Sequence, residues 1–224
     1  MKKTLLFLAV LAFAAASSAM AGTTVMTFEG LGCTEPVMNY YDGGFGGFGS
    51  GPGPNYGVTW SSNSLALQES TATGGACSGN FINEPSPISV LFFLSGTGDV
   101  MDVPAGITTG FSFFYSGNSA VGNGIIDIYS GLDGTGTLLA SFTADTSLTP
   151  LCTTGPNYCV WQPDGVAFNG TAESVVFGGA ANFIGWDNIT LGSSVPVGTP
   201  EPASLALLGT AMLGAGLLLR KQVS

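Results

Sequence analysis

Gly110-Phe111-Ser112-Phe113-Phe114-Tyr115 and, a short Gly/Asn-rich stretch later, Ile125-Ile126-Asp127-Ile128-Tyr129 decide the fold class. Both runs are short, rich in aromatic and β-branched residues, and bounded by glycine and asparagine. They lack the three-to-four spacing of a helix and read as adjacent central strands. The turn-rich Ser130-Gly131-Leu132-Asp133-Gly134-Thr135-Gly136 links the second run to Leu138–Phe142. Working outward, the same punctuation predicts strands at Thr23–Phe28, Val58–Trp60, Leu65–Leu67, Ser89–Leu94, Thr109–Tyr115, Gly124–Tyr129, Leu138–Thr143, Val160–Phe168, Ser174–Phe177 and Phe183–Leu191. Turn signals between them include Gly117-Asn118, Leu132-Asp133-Gly134 and Pro163-Asp164-Gly165. About ten short strands at this spacing predict an all-β fold, a single β-sandwich with jelly-roll-like topology. No internal repeat points to a propeller or solenoid.

The two ends differ from this pattern. Met1-Lys2-Lys3, the apolar stretch Leu5–Ala16 and the small-residue exit Ser17-Ser18-Ala19-Met20-Ala21 make the three parts of a cleavable secretory signal. The apolar part falls short of the ~20 residues that span a bilayer. Cleavage is expected after Ala21, with Ala19 and Ala21 as the small pair. At the other end, Thr199-Pro200-Glu201-Pro202 precedes the apolar run Ala203–Leu219 and then Arg220-Lys221. The prolines stop regular structure, because each lacks an N–H and restricts the residue before it. At ~1.5 Å per residue the run covers roughly 25 Å, the short end of a membrane span. Arg220 and Lys221 are expected on the cytoplasmic side. The organisation predicted is therefore a signal peptide over 1–21, an ectodomain over 22–191, a linker over 192–199 and a tail over 200–221, with one transmembrane helix at 203–219.

All four Lys and Arg residues lie in those end segments, the chain has no His, and every acidic residue except Glu201 lies in the ectodomain. Without cations nothing neutralises phosphates, so no nucleic acid is expected as a partner. Without His, Ser-His-Asp and Cys-His catalysis are ruled out as usually built, and any chemistry would rest on carboxylates. Asp99-Val100-Met101-Asp102 offers two carboxylates on what reads as a loop, but a glycosidase needs its pair across a cleft. No catalytic residue is assigned. Cys33, Cys77, Cys152 and Cys159 form an even set in an exported chain and read as disulfides; zinc is disfavoured by the lack of Cys-x-x-Cys spacing. Three connectivities are open from sequence alone. The pairing Cys33–Cys77 with Cys152–Cys159 is favoured, because Gly155-Pro156-Asn157 supplies loop chemistry between the second pair.

Tyr40-Tyr41-Asp42-Gly43-Gly44-Phe45-Gly46-Gly47-Phe48-Gly49-Ser50, continuing to Tyr56-Gly57, is too glycine-dense for regular sheet and reads as a flexible loop. Its aromatics Tyr40, Tyr41, Phe45, Phe48 and Tyr56 suit stacking on sugar rings. Glu29 ends the first strand and Asp187 lies in the last. First and last strands of a jelly roll neighbour each other, so these carboxylates are candidates to share a structural calcium ion. Asn169-Gly170-Thr171 and Asn188-Ile189-Thr190 match the glycosylation pattern by chance spacing. Thr71-Ala72-Thr73 is solitary, so the ranked threonines of an ice-binding face are lacking.

Pro200-Glu201-Pro202, the Leu/Ala/Gly run and the basic pair Arg220-Lys221 resemble the PEP-CTERM sorting domain of exopolysaccharide-producing Gram-negative bacteria, a tail also called the ice-binding protein C-terminal domain. The resemblance covers roughly Val197 to Lys221. It implies recognition and cutting near Pro200-Glu201-Pro202 by an exosortase, a membrane peptidase, after a stage in the inner membrane. It further implies delivery to the cell surface or extracellular matrix, with exopolysaccharide as a possible partner. The expected role is structural or adhesive and non-enzymatic. The alternatives are a calcium-dependent lectin-like module and a carboxylate-based polysaccharide hydrolase.

Overall fold

The alternation seen in the sequence becomes strands wherever a run of apolar and β-branched residues can bury one side. A computed structural model describes residues 23–198. Ala19, Ala21, Pro200, Glu201, Pro202, the run 203–219, Arg220 and Lys221 lie outside the described residues. The strands are β1 (Thr24–Met26), β2 (Glu35–Pro36), β3 (Thr59–Trp60), β4 (Leu65–Gln68), β5 (Ser89–Phe92), β6 (Gly98–Ile107), β7 (Phe111–Gly117), β8 (Gly124–Tyr129), β9 (Leu138–Ala144), β10 (Gln162–Val166), β11 (Ala172–Gly179) and β12 (Ile184–Leu191). One 3-10 turn, Thr146–Leu148, is the only helical element among the described residues.

All strand pairs are antiparallel and fall into two sheets. The first runs β10-β7-β12-β5-β4-β2, with β1 also paired to β12; the second runs β3-β6-β11-β8-β9. First and last strands neighbour each other as expected, with Val25 opposite Thr190. The hairpin from β8 to β9 also forms where expected, with Tyr129 opposite Leu138.

Three expectations fail. The runs at β7 and β8 are not adjacent: β7 lies between β10 and β12, while β8 lies between β11 and β9. The Asn118–Asn123 connection is no tight hairpin, so it carries the chain from one sheet to the other. Pro163-Asp164-Gly165 is not a turn but the middle of β10, where a proline is tolerated because the strand is an edge. The segment around Asp99 and Asp102 is not a loop. It is β6, the longest strand, hidden in the sequence by its glycines, proline and carboxylates.

The second face of β6 explains its placement. Asp99, Met101 and Val103 alternate inward, and Asp102 points the other way, where its carboxylate accepts from the Asp133 amide at 2.8 Å. Two residues three apart on a strand lie on opposite faces, so Asp99 and Asp102 cannot flank one substrate.

The apolar faces of the two sheets share one core. Phe177 of β11 sits at its centre, with ring centroids 5.8 Å from Phe111, 6.4 Å from Phe113, 5.4 Å from Trp186 and 5.6 Å from Trp60. The first three rings belong to the opposite sheet. A β-bulge in β12 keeps this packing in register. Between Asp187 and Thr190 the pairing with β7 slips, and Asn188 takes a left-handed φ of 48°. The extra residue lets Trp186 and Ile189, of opposite parity, both face the core. Asparagine tolerates that backbone better than most residues.

Candidate binding groove

Val90 and Phe92 of β5 point away from the core, on the outer face of the first sheet, and yet they are buried. Two segments cover them. One follows Cys77 and carries Ser78, Asn80 and Phe81; the other ends at Cys159 and carries Tyr158, with Trp161 just beyond. The segments are tied together. Tyr158 N–H donates to Asn80 O at 3.1 Å, Ile82 N–H to Tyr158 O at 3.0 Å, and Trp161 Nε1 to Ile82 O at 3.2 Å. Phe81 meets Trp161 edge to face at 6.2 Å.

Between these segments and the sheet runs a groove of about 460 Å³. Its lining includes Leu67, Val90, Phe92, Ser116, Asn182 and Phe183. Both disulfides form as favoured, Cys33–Cys77 and Cys152–Cys159, with Cα separations of 5.7 and 6.1 Å. Each staples a wall: Thr34, Ser78 and Tyr158, the chain neighbours of three of the cysteines, all line the groove.

No charged side chain lines this groove. Burial pushes the Tyr158 phenol up from its ordinary value, against a hydrogen bond with Asn118, so it remains a neutral hydroxyl. Ser116 is 1% exposed and its Oγ has no hydrogen-bond partner. The arrangement offers aromatic faces, two amides and hydroxyls. It holds no carboxylate or imidazole for proton transfer.

The sequence missed this site because its residues come from seven separated stretches. The aromatics singled out instead divide. Tyr40 and Tyr41 are buried anchors: Tyr40 Oη donates to Glu29 O at 3.0 Å, and Tyr41 Oη accepts from Phe28 N–H at 2.6 Å. Phe45, Phe48 and Tyr56 are exposed, at 55%, 72% and 44%. Tyr56 stacks on Tyr41 at 5.9 Å. The five therefore do not form one stacking platform.

Nor is the glycine-rich segment a loose loop. It wraps the buried carboxylate of Glu35, which accepts from Gly32 N at 2.6 Å, Phe48 N at 2.8 Å, Ser50 N at 3.0 Å and Ser50 Oγ at 2.5 Å. Burial pushes this carboxyl up, but the hydrogen bonds together outweigh it and hold Glu35 below its usual value. Glycine is needed here for close approach. A Cβ on Gly46 would stand 2.5 Å from Glu35 Oε1, and one on Gly53 would collide with the Tyr40 carbonyl.

Glu29 and Asp187 do come together, through the β1–β12 pairing, and what they hold is the chain at Ser86 and the start of β5. Glu29 Oε1 accepts from Ser89 N at 2.7 Å; Asp187 accepts from Ser86 N, Ser86 Oγ and Asn188 N, each at 2.7 Å. Burial drives Asp187 up to about 7, opposed by those hydrogen bonds and reinforced by the Glu29 charge. Among the described residues, no group of three or more His, Cys, Asp or Glu side chains is placed to hold a metal ion.

Residues 199–222 match the PEP-CTERM protein-sorting motif. Tails of this type are recognised by exosortase and mark export and sorting to the cell envelope or surface. No curated protein matches the chain. Among solved structures, the catalytic domain of a GH87 alpha-1,3-glucanase in complex with tetrasaccharides is similar at 13% identity and a TM-score of 0.42, over 80% of this chain and 30% of that one. The K1 cleaved adhesin domain of Lys-gingipain from Porphyromonas gingivalis is similar at 14% identity and a TM-score of 0.40, over 77% of this chain and 98% of that one. The chain thus spans under a third of the glucanase.

Proposed function

For a chain that carries an exosortase-recognised sorting motif, we propose a structural or adhesive, non-enzymatic role in the envelope or extracellular matrix. The two sheets form a jelly-roll-like β-sandwich that presents its groove to an extracellular polymer, with exopolysaccharide as the partner. The observation that carries this reading is the uncharged, aromatic-lined groove: it supplies contact surface and hydrogen-bonding groups, and no lining side chain suited to acid–base chemistry. No cofactor enters the proposal: both Asp187 oxygens and Glu29 Oε1 already accept from amide and hydroxyl donors.

The test uses the full-length exported protein, solubilised in detergent with its disulfides intact, and the exopolysaccharide of the producing organism. Saturable binding that survives EDTA, with no new reducing ends, is the expected result. New reducing ends would replace this reading with a hydrolase. Loss of binding in EDTA would replace it with a calcium-dependent lectin. No binding at all overturns the adhesive role.

A further inference from the structure

We propose that Asn169, at the bend between β10 and β11, is a site of spontaneous covalent modification. Its carboxamide is converted to a carboxylate by way of a cyclic imide closed by the Gly170 backbone nitrogen, with water as the only co-reactant. This goes beyond the adhesive reading and does not rest on it.

The sequence holds two Asn-Gly pairs, Asn123-Gly124 and Asn169-Gly170. Glycine is the follower that lets the chain nitrogen reach the asparagine side-chain carbonyl most easily, because it has no Cβ in the way and its backbone turns freely. The fold treats the two pairs oppositely. Asn123 is exposed, but its Oδ1 accepts from Thr146 N at 3.1 Å and from Thr146 Oγ1 at 2.9 Å. Gly124 is buried in β8, paired with Gly179 on one side and Ala144 on the other. A Cβ on Gly124 would meet Ala144 Cβ at 3.2 Å and Ile184 Cδ1 at 3.4 Å, so its backbone has little room to turn. Asn169, Gly170 and Thr171, by contrast, are all exposed and lie outside the strands. Among the described residues neither the Asn169 carboxamide nor the Gly170 N–H has a hydrogen-bond partner. A Cβ on Gly170 would meet only Leu139 Cδ2, at 3.7 Å. Backbone in this state moves at little free-energy cost, whereas a pair clamped in a ladder must first unfold locally.

The step balances without help from any side chain but the one modified. The Gly170 nitrogen gives up its proton and bonds to Asn169 Cγ, and the carboxamide nitrogen leaves as ammonia, carrying that proton. Water then opens the imide, at the Cγ carbonyl to give aspartate or at the main-chain carbonyl to give isoaspartate. Because the attacking nitrogen must lose its proton, the rate rises with pH. The product adds a carboxylate to an ectodomain that has no Lys, Arg or His to pair with it. Isoaspartate also lengthens the backbone by a carbon just before β11 begins at Ala172.

The test is incubation of the full-length, disulfide-intact protein in detergent, in heavy-oxygen water at neutral and at alkaline pH, with peptide mass spectrometry at intervals. The peptide carrying Asn169 is expected to gain the mass of an amide-to-acid exchange with one heavy oxygen. It should do so about tenfold or more faster than the peptide carrying Asn123, and faster at alkaline pH. An isoaspartate-specific methyltransferase should label the converted Asn169 peptide. In urea with reductant the two pairs are expected to convert at comparable rates, which assigns the difference to the fold. Asn169→Gln is expected to abolish the fast conversion and to leave the urea midpoint unchanged, since the Asn169 side chain holds no other group. Equal rates at the two pairs in the folded protein, or Asn123 converting first, overturns the proposal. So does a rate at Asn169 that does not rise with pH, or no conversion there while the unfolded chain converts.

Discussion

Replacing Asp99 with asparagine is expected to make the protein more stable at neutral pH and to flatten the dependence of its stability on pH. Asp99 lies on the inward face of β6, 1% exposed, and neither carboxyl oxygen has a hydrogen-bond partner; Ser64 lies close enough only to moderate the effect of burial. Burial drives the carboxyl up from 3.8 to about 8. The unfolded chain therefore gives up this proton near pH 4, while the folded chain keeps it until about pH 8. Below pH 4 both states hold the proton and the group is neutral in the balance. Above it the folded state binds more protons, so stability falls by about 1.4 kcal/mol per pH unit until the folded group ionises. Between pH 5 and 7 the loss from this residue is about 3 kcal/mol, and by pH 7 the accumulated loss reaches about 4 kcal/mol. Asparagine has the shape of the neutral acid and does not titrate. Urea unfolding of the wild type and Asp99→Asn across pH 4 to 8 measures the difference. The curves should meet near pH 4 and separate steadily, with the variant above. A separation that is constant across the range would refute the assignment of a buried, neutral Asp99.

Glu35→Gln should cost about 1–3 kcal/mol by leaving at least one of four donors unpaired, and proteolysis should open first between Gly43 and Gly53. Because Glu35 is held below its usual value, its contribution is present at neutral pH and is lost as pH falls through that depressed value. Reduction of Cys33–Cys77 should cost about 4 kcal/mol and of Cys152–Cys159 about 2 kcal/mol, from sequence separations of 44 and 7; thermal unfolding with and without reductant reads both. Phe177→Ala should cost about 3–5 kcal/mol, since it empties the contact between the sheets, and a urea titration measures it. Alanines at Pro200, Glu201 and Pro202 should leave the protein unprocessed at the inner membrane, as seen by fractionation and gel mobility; full processing would refute sorting through this motif.

Most of the fold was legible because its strands obey the period-two rule with β-branched and aromatic residues. β1, β5, β7, β8, β9 and β12 all lie within or across the stretches read from sequence. β6 was not legible, since Gly98, Asp99, Pro104 and Gly106 are each a local signal against a strand, and only pairing with β3 and β11 overrides them. The assignment of β7 and β8 to different sheets was hidden for another reason: both faces of the core are equally apolar, so the alternation is the same in either sheet. Composition identified the disulfides and the neighbouring pair Glu29 and Asp187 through topology. It could not identify the groove, because Phe92, Ser116 and Trp161 meet only when three strands and two stapled segments are in place. Glycine density misled most. Around Glu35 it marks close packing, which a single chain can express only once the carboxylate has found its donors.

That Glu35 cluster has a consequence for a domain that must keep its shape outside the cell. Many extracellular loops are gathered around a calcium ion, and their order then follows the supply of that ion in the surroundings. Here the polarity is inverted: backbone amides converge on an anion, in the manner of an oxyanion nest, and the anion is covalently part of the chain. Its local concentration is fixed by connectivity and cannot be diluted or chelated away. Phe45 and Phe48 are accordingly displayed from a loop whose order draws on no ion from the surroundings.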